Sequence, residues 1–125
     1  MKKIILFVIC ICSILLSCKS QDEGIIDISV EDLQVVLKNN EAIQLVDVRT
    51  SQEWSKGVIK NAITIDVTSG SFEDLALKKL DKSKPVYIYC RSGGRSKIAS
   101  DLLLKKGFKP YNVLGGYMEW KEMKQ

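Results

Sequence analysis

Cys90 is followed directly by Arg91, Ser92, Gly93, Gly94, Arg95 and Ser96, and that grouping of residue types can do sulfur chemistry. The deprotonated thiol is the nucleophile, so the surroundings of a reactive cysteine must favour its anion. Adjacent glycines let the backbone reach φ > 0, which allows successive N–H groups to turn inward as an anion-binding nest. A helical pattern that begins near Ser96 points the positive end of its dipole at the same spot. Arg91 and Arg95 add two cations within five residues of the sulfur. The competing reading is a structural cysteine at the end of a core strand, because free cysteines usually behave as small hydrophobes. Such a cysteine gains nothing from two guanidiniums, which are costly to bury unpaired.

The chain contains no histidine, so a Cys–His dyad, a Ser–His–Asp triad and histidine metal ligation are excluded. Activation of Cys90 falls to the loop amides, the helix dipole and the arginines. The other three cysteines, Cys10, Cys12 and Cys18, lie near the N-terminus. Met1-Lys2-Lys3 is a basic head, Ile4 to Leu16 is a nearly unbroken apolar run, and Ser17 is a small residue just ahead of Cys18. This is the layout of a secretory leader, and the run is short for a membrane span. An uncleaved anchor or a buried helix is the competing reading. Leu15-Leu16-Ser17-Cys18 resembles the lipobox of bacterial lipoproteins, which implies cleavage before Cys18 and a lipid on its sulfur. The expected organisation is a leader at 1–17, a lipidated tether at 18–24 and a domain at 25–125. That domain would sit outside the cytoplasm, anchored to a membrane of the bacterial cell envelope.

In that arrangement Cys90 is the only free thiol left. It has no second cysteine for a disulfide staple or a resolving step, which argues against an internal dithiol–disulfide oxidoreductase. A structural zinc site is equally short of ligands. Loss of residues 1–17 removes Lys2 and Lys3, leaving 17 basic and 15 acidic side chains, a formal +2. That near-balance, with no basic stripe interleaved with aromatics, gives no reason to expect a nucleic-acid partner. The length suits one small domain, expected as a monomer.

Positioning the loop is the task of the rest of the chain. Val86 to Tyr89, β-branched and aromatic, reads as a buried strand that delivers Cys90. Ile25 to Ile28 is a first strand, and Ser29 with Asp32 forms a capping box for a helix carrying Val30, Leu33, Val36 and Leu37. Ile43 to Val48 has the length of a strand covered on both faces. Ser51 opens a short helical turn bearing Glu53 and Trp54, stopped by Gly57. Ile63 to Val67 is the next strand, and Ser71 with Asp74 caps a helix through Leu75, Leu77 and Leu80. The helix from Ser96 to Lys106 is expected to turn Ile98, Ala99, Leu102 and Leu103 inward, with Gly107 at its αL end. Tyr111 to Leu114 is a last strand, Gly115-Gly116 a turn, and Tyr117 to Met123 a terminal helix. Strands alternating with helices predict an α/β fold, a mostly parallel sheet of about five strands with helices on both faces. Such sheets bind ligands at the carboxyl ends of their strands, where Cys90 falls.

Cys90 to Ser96 resembles the active-site loop of rhodanese-family sulfurtransferases. Asp47-Val48-Arg49 with Glu53-Trp54 and Gly57-Val58-Ile59, and Leu114-Gly115-Gly116-Tyr117 with Trp120, resemble that family's other two signatures in the same order. The resemblance spans roughly residues 26–121. It departs at Gly57-Val58-Ile59, where many relatives have Gly-His-Ile. It implies that Cys90 is the nucleophile and that Arg91 to Ser96 hold a persulfide. It also implies that Asp47 and Arg49 serve mainly as scaffold, with Gly115 and Gly116 as a tight turn near the rim. The implied reaction takes sulfur from a donor such as thiosulfate and gives it to cyanide, a small thiol or a protein's cysteine. No organic cofactor or metal is required. Two rivals stand beside it. A phosphatase or arsenate reductase would use a Cys-x5-Arg loop, whereas four residues separate Cys90 from Arg95. A non-catalytic docking module of the same family usually lacks the cysteine.

Overall fold

The computed structural model describes residues 24–40 and 42–123. The leader, Cys18 and the tether up to residue 23 lie outside them. Among the described residues no helix is long and apolar enough to cross a membrane.

Ten elements follow one another: β1 (Ile26–Ile28), α1 (Val30–Asn39), β2 (Gln44–Asp47), α2 (Ser51–Trp54), β3 (Ile63–Thr64), α3 (Phe72–Lys79), β4 (Pro85–Tyr89), α4 (Gly94–Lys105), β5 (Lys109–Val113) and α5 (Gly116–Met123). The strands form one sheet in the order β1-β5-β4-β2-β3, every pair parallel. Each connection between parallel neighbours must travel back along the sheet, and the helices do this. Side chains alternate across β4: Val86, Ile88 and Cys90 join a core with Phe72 and Ala76 of α3 and Ala99 and Leu103 of α4. Tyr89 points the other way, into a core with Val30, Leu33 and Leu37 of α1 and Trp120 of α5. Each fully buried aliphatic side chain in these two layers contributes about 1.5–3 kcal/mol. The α/β architecture with helices on both faces is the expected one.

The capping box of α1 is complete: Ser29 Oγ accepts from the Asp32 amide at 3.0 Å, and the Asp32 carboxylate accepts from the Ser29 amide at 3.4 Å. Other local expectations shift. The residue that caps α2 is Thr50, paired with Glu53 in a second capping box. Ser71 precedes α3 without a side-chain cap bond, because its hydroxyl sits 2.8 Å from that of Ser69. The third strand stops at Thr64, as Asp66 folds back to accept from the amide and hydroxyl of Thr68 at 2.8 and 2.6 Å. β5 starts two residues early and includes Pro110; β1 pairs only from Tyr111 onward, so the missing proline N–H falls beyond that ladder.

The largest correction concerns α4. It begins at Gly94, and Ile98 is 58% exposed rather than inward. The stripe against the sheet is Ser96, Ala99, Ser100 and Leu103, a 3.6-residue period built largely of small side chains. The buried Ser100 hydroxyl is satisfied by the Ser96 carbonyl at 2.7 Å. Small residues let this helix lie close over β4 and β5, which fixes its N-terminus above the sheet's carboxyl edge.

Candidate active site

β4 releases the chain at Tyr89, and the following residue is the thiol, 1% exposed. The chain then turns through Gly93, at φ 122°, and enters α4 at Gly94. This left-handed backbone at Gly93 is what reverses the chain within three residues of the sulfur. It also turns the Gly93 amide inward, donating to Cys90 Sγ at 3.0 Å. Ser96 Oγ stands 3.5 Å from Sγ and gives its proton to the Gly93 carbonyl at 3.1 Å. When the thiol ionises it stops donating, and the Ser96 hydroxyl is placed to donate to sulfur instead. Burial works against the thiolate, but the Ser96 hydroxyl and the amides of Ser96, Gly93 and Ser92 outweigh it. The Cys90 thiol is thereby held below its ordinary value. Of the loop amides expected to turn inward, that of Gly93 is hydrogen-bonded to the sulfur.

The two flanking arginines divide. Arg95 forms a fork with Glu53, Nη1 to Oε2 at 2.7 Å and Nη2 to Oε1 at 2.8 Å. Its hydrogen bonds, opposed by some burial, pull the Glu53 carboxyl down to about 2. The same carboxylate accepts from the Thr50 amide at 3.0 Å and hydroxyl at 2.9 Å. Arg95 therefore braces α4 against the start of α2. Arg91 is exposed, and among the described residues it makes no ion pair.

The loop backbone is pinned from a third side by α5. The Tyr117 amide donates to the Cys90 carbonyl at 2.9 Å and the Met118 amide to that of Arg91 at 3.1 Å. Gly116, at φ 55°, lies so close that a Cβ there would meet the Cys90 carbonyl oxygen at 2.5 Å and that of Arg91 at 2.7 Å. Gly116 is demanded by this approach as well as by its own turn, and it forms the first residue of α5 rather than lying ahead of it.

Asp47 and Arg49, 0% and 3% exposed, form a closed corner beside the loop. Arg49 reaches both Asp47 oxygens, with Nη2 to Oδ2 at 2.7 Å and Nε to Oδ1 at 2.9 Å, and gives a further bond to the Gly57 carbonyl at 2.7 Å. The Trp54 indole donates to Asp47 at 3.1 Å, and the Arg49 guanidinium lies 4.1 Å over the Tyr117 ring. Burial opposes the Arg49 charge, yet the Asp47 carboxylate outweighs it and raises the guanidinium further. The Tyr89 hydroxyl accepts from the Ile59 amide at 2.9 Å. Among the described residues, Asp47, Arg49, the loop from Cys90 to Ser96, and Gly115 and Gly116 thus gather at one end of the sheet; Cys18 lies outside the described residues. Those missed are Thr50, whose spacing to Glu53 is a capping signature, and Lys56, Met118 and Lys121, which with Arg49, Glu53, Arg91 and Tyr117 line a cavity of about 470 Å³. Helical spacing on α5 puts Met118 and Lys121 three residues apart, but nothing in the sequence brings Lys56 to them. Among the described residues no group of three or more Cys, Asp or Glu side chains could hold a metal ion.

Residues 29–123 match the rhodanese-like domain. The Bacillus subtilis protein YtwF is 36% identical over 94 residues, 75% of this chain and 88% of that protein. A sulfurtransferase of Allochromatium vinosum is 33% identical over 95 residues, 75% of this chain and 86% of its own length. Among solved structures, a rhodanese-like domain protein of Staphylococcus aureus superposes with a TM-score of 0.70 at 33% identity. That match covers 76% of this chain and 90% of the other. A cysteine in a glycine turn between a central parallel strand and a helix, together with these matches over nearly the whole described fold, makes this chain a member of the rhodanese-like domain family.

Proposed function

We propose that the protein is a sulfurtransferase that works through a persulfide on Cys90. The observation that carries this reading is the buried Sγ, to which the Gly93 amide donates at 3.0 Å, with the Ser96 hydroxyl 3.5 Å away and able to turn its proton to a thiolate. They favour a thiolate and would equally hold the charge of one added sulfur. With thiosulfate as donor, the Cys90 thiolate attacks the outer sulfur. A new S–S bond forms, the bond to the sulfonate group breaks, and sulfite leaves with the electron pair. An acceptor thiolate then attacks that outer sulfur, and the pair returns to Cys90 Sγ. Two displacements on one residue give ping-pong kinetics. Arg91 draws the anionic donor, while Arg95, held by Glu53, keeps the loop in shape. Incubation with thiosulfate should add the mass of one sulfur atom to the intact protein, and Cys90→Ser should gain none. Wild type that never gains it overturns the reading.

Phosphatase chemistry fits less well, because the loop arginine that would clamp a phosphate is already engaged by Glu53. A purely docking role leaves the lowered thiol without a purpose. We place the activity in the cell envelope, tethered by lipid on Cys18. Labelled fatty acid should enter the full-length protein, and its equal entry into Cys18→Ala would remove the anchor.

A further inference from the structure

Lysines scattered along the chain meet at the amino edge of the sheet, the edge opposite Cys90. Segments 38–43, 78–85 and 105–109 hold eight lysines and two acids, Glu41 and Asp81, in a chain whose net charge is only +4. Each segment runs from the end of a helix to the start of a strand, α1 to β2, α3 to β4 and α4 to β5. All strands are parallel, so the three turns lie along one edge. Gln44, the first residue of β2, ties the first turn to the second, its side-chain amide donating to the carbonyls of Asp81 at 2.9 Å and Lys84 at 3.3 Å. Lys82 ties the second to the third, its ammonium 5.6 Å over the Phe108 ring. All eight lysines are exposed. Among the described residues Lys106 alone of them has a carboxylate partner, Glu73 at 3.4 Å.

Helix dipoles explain part of this gathering, since cations suit the last turn of a helix; Lys38, Lys78, Lys79 and Lys105 are placed there. Lys82, Lys84 and Lys109 lie beyond the helices, where that effect has fallen off. A second observation tells what the edge faces. β1 enters the sheet from the same side: Ile26 is opposite Tyr111, the third residue of β5, which opens with Lys109. Gly24 is six residues from Cys18, a span of at most about 20 Å. A lipid on Cys18 therefore brings the lysine edge, rather than the thiol loop, to the bilayer surface. Resting on the lipid-anchor reading above, we propose that this edge docks on anionic phospholipid headgroups of the membrane that holds Cys18. The lysines meet the headgroup phosphates, each strengthening attachment by roughly fivefold. The short tether favours the bilayer over any other polyanion. β4 is 5 residues long, which at about 3.3 Å per residue lifts Cys90 roughly 17 Å above the docked edge. The thiol loop is thereby held towards solvent, open to dissolved donors and acceptors.

The test uses the full-length chain expressed in a bacterium, its lipid verified by intact mass, inserted into preformed vesicles of phosphatidylcholine with or without phosphatidylglycerol. Acetylation of each lysine is followed by peptide mass spectrometry. Phosphatidylglycerol should slow Lys82, Lys84 and Lys109 by about fivefold or more. Lys56 and Lys97, on the side of the thiol loop, should react at the same rate in both vesicles. The slowing should vanish near 1 M salt, where screening acts within about 3 Å. In Lys82→Gln/Lys84→Gln/Lys109→Gln, which should keep the wild-type urea midpoint, Lys38 and Lys78 should lose most of their protection. Equal rates in the two vesicles, slowing at Lys56 and Lys97 instead, or full protection in the triple variant would overturn the proposal. Stronger protection of the same lysines by duplex DNA than by anionic vesicles would overturn it too, in favour of a soluble polyanion. Those failures leave the anchor standing. A chain that carries no lipid overturns the anchor reading and, with it, this one.

Discussion

Two neighbouring parallel strands, β2 and β4, end side by side with Asp47 opposite Tyr89, and each delivers a buried acidic group just where its strand stops. On the last residue of β2 it is the Asp47 carboxylate; on the first residue after β4 it is the Cys90 sulfur. The carboxylate is saturated by the Arg49 amide, the Arg49 guanidinium and the Trp54 indole. The sulfur is met by the Gly93 amide and the Ser96 hydroxyl, while the Arg95 guanidinium, whose charge also acts on it, is hydrogen-bonded to Glu53. The difference teaches how similar residue types part company. A buried anion with a dedicated cation is a structural clamp. One held by amides and a hydroxyl keeps its charge available to a reaction.

Opening the clamp should give the largest effect on folding. Arg49→Met leaves Asp47 as a buried carboxylate without its cation, and such losses cost about 3–5 kcal/mol. Urea unfolding should show that drop, while the fraction still folded should load sulfur from thiosulfate. A loss of less than about 1 kcal/mol with loading abolished would mean that the corner belongs to the chemistry, and the contrast would collapse. At the other strand end, Ser96→Ala should do the reverse. It removes the largest influence that lowers the Cys90 thiol and creates only a small change in packing. The midpoint of Cys90 alkylation against pH should move upward and the rate at neutral pH should fall several-fold, in keeping with loss of one hydrogen bond to a charged group. An unmoved midpoint would leave the amides alone responsible.

The contrast was only half legible in the sequence. Strand and helix order followed from apolar periodicity, because each buried stripe leaves its period in the chain. The loop followed from two glycines beside a cysteine. What escaped was the direction in which long side chains turn. Arg91 and Arg95 look alike as flanking cations; only the approach of Glu53, 42 positions away, assigns one to bracing. Ile98 was expected inward because it is apolar, yet Ser96 and Ser100 hold the buried stripe of α4. There the close fit of helix to sheet prevailed over hydrophobicity. Lys56 and Lys121 reach the same cavity from separate elements, a meeting that no local spacing encodes.

The smallest expected effect tests the link that joins the two regions. Glu53→Gln keeps a side chain able to complete the Thr50 capping box but removes the charge that holds Arg95. The pair is about a quarter to a third exposed, so screening limits its worth to about 0.2–1 kcal/mol. Its pH dependence is distinctive. The folded carboxyl is depressed from 4.5 to about 2, so the unfolded chain takes up the proton first on acidification. The stabilisation is full above about 4.5 and is lost as pH falls towards about 2. Urea unfolding of wild type and Glu53→Gln from pH 7 downward should therefore show a constant small gap that closes across that window. A gap that persists unchanged at the acidic end would mean that Glu53 acts through shape rather than charge. In that case the fork with Arg95 would not be what ties the clamp after β2 to the thiol loop after β4.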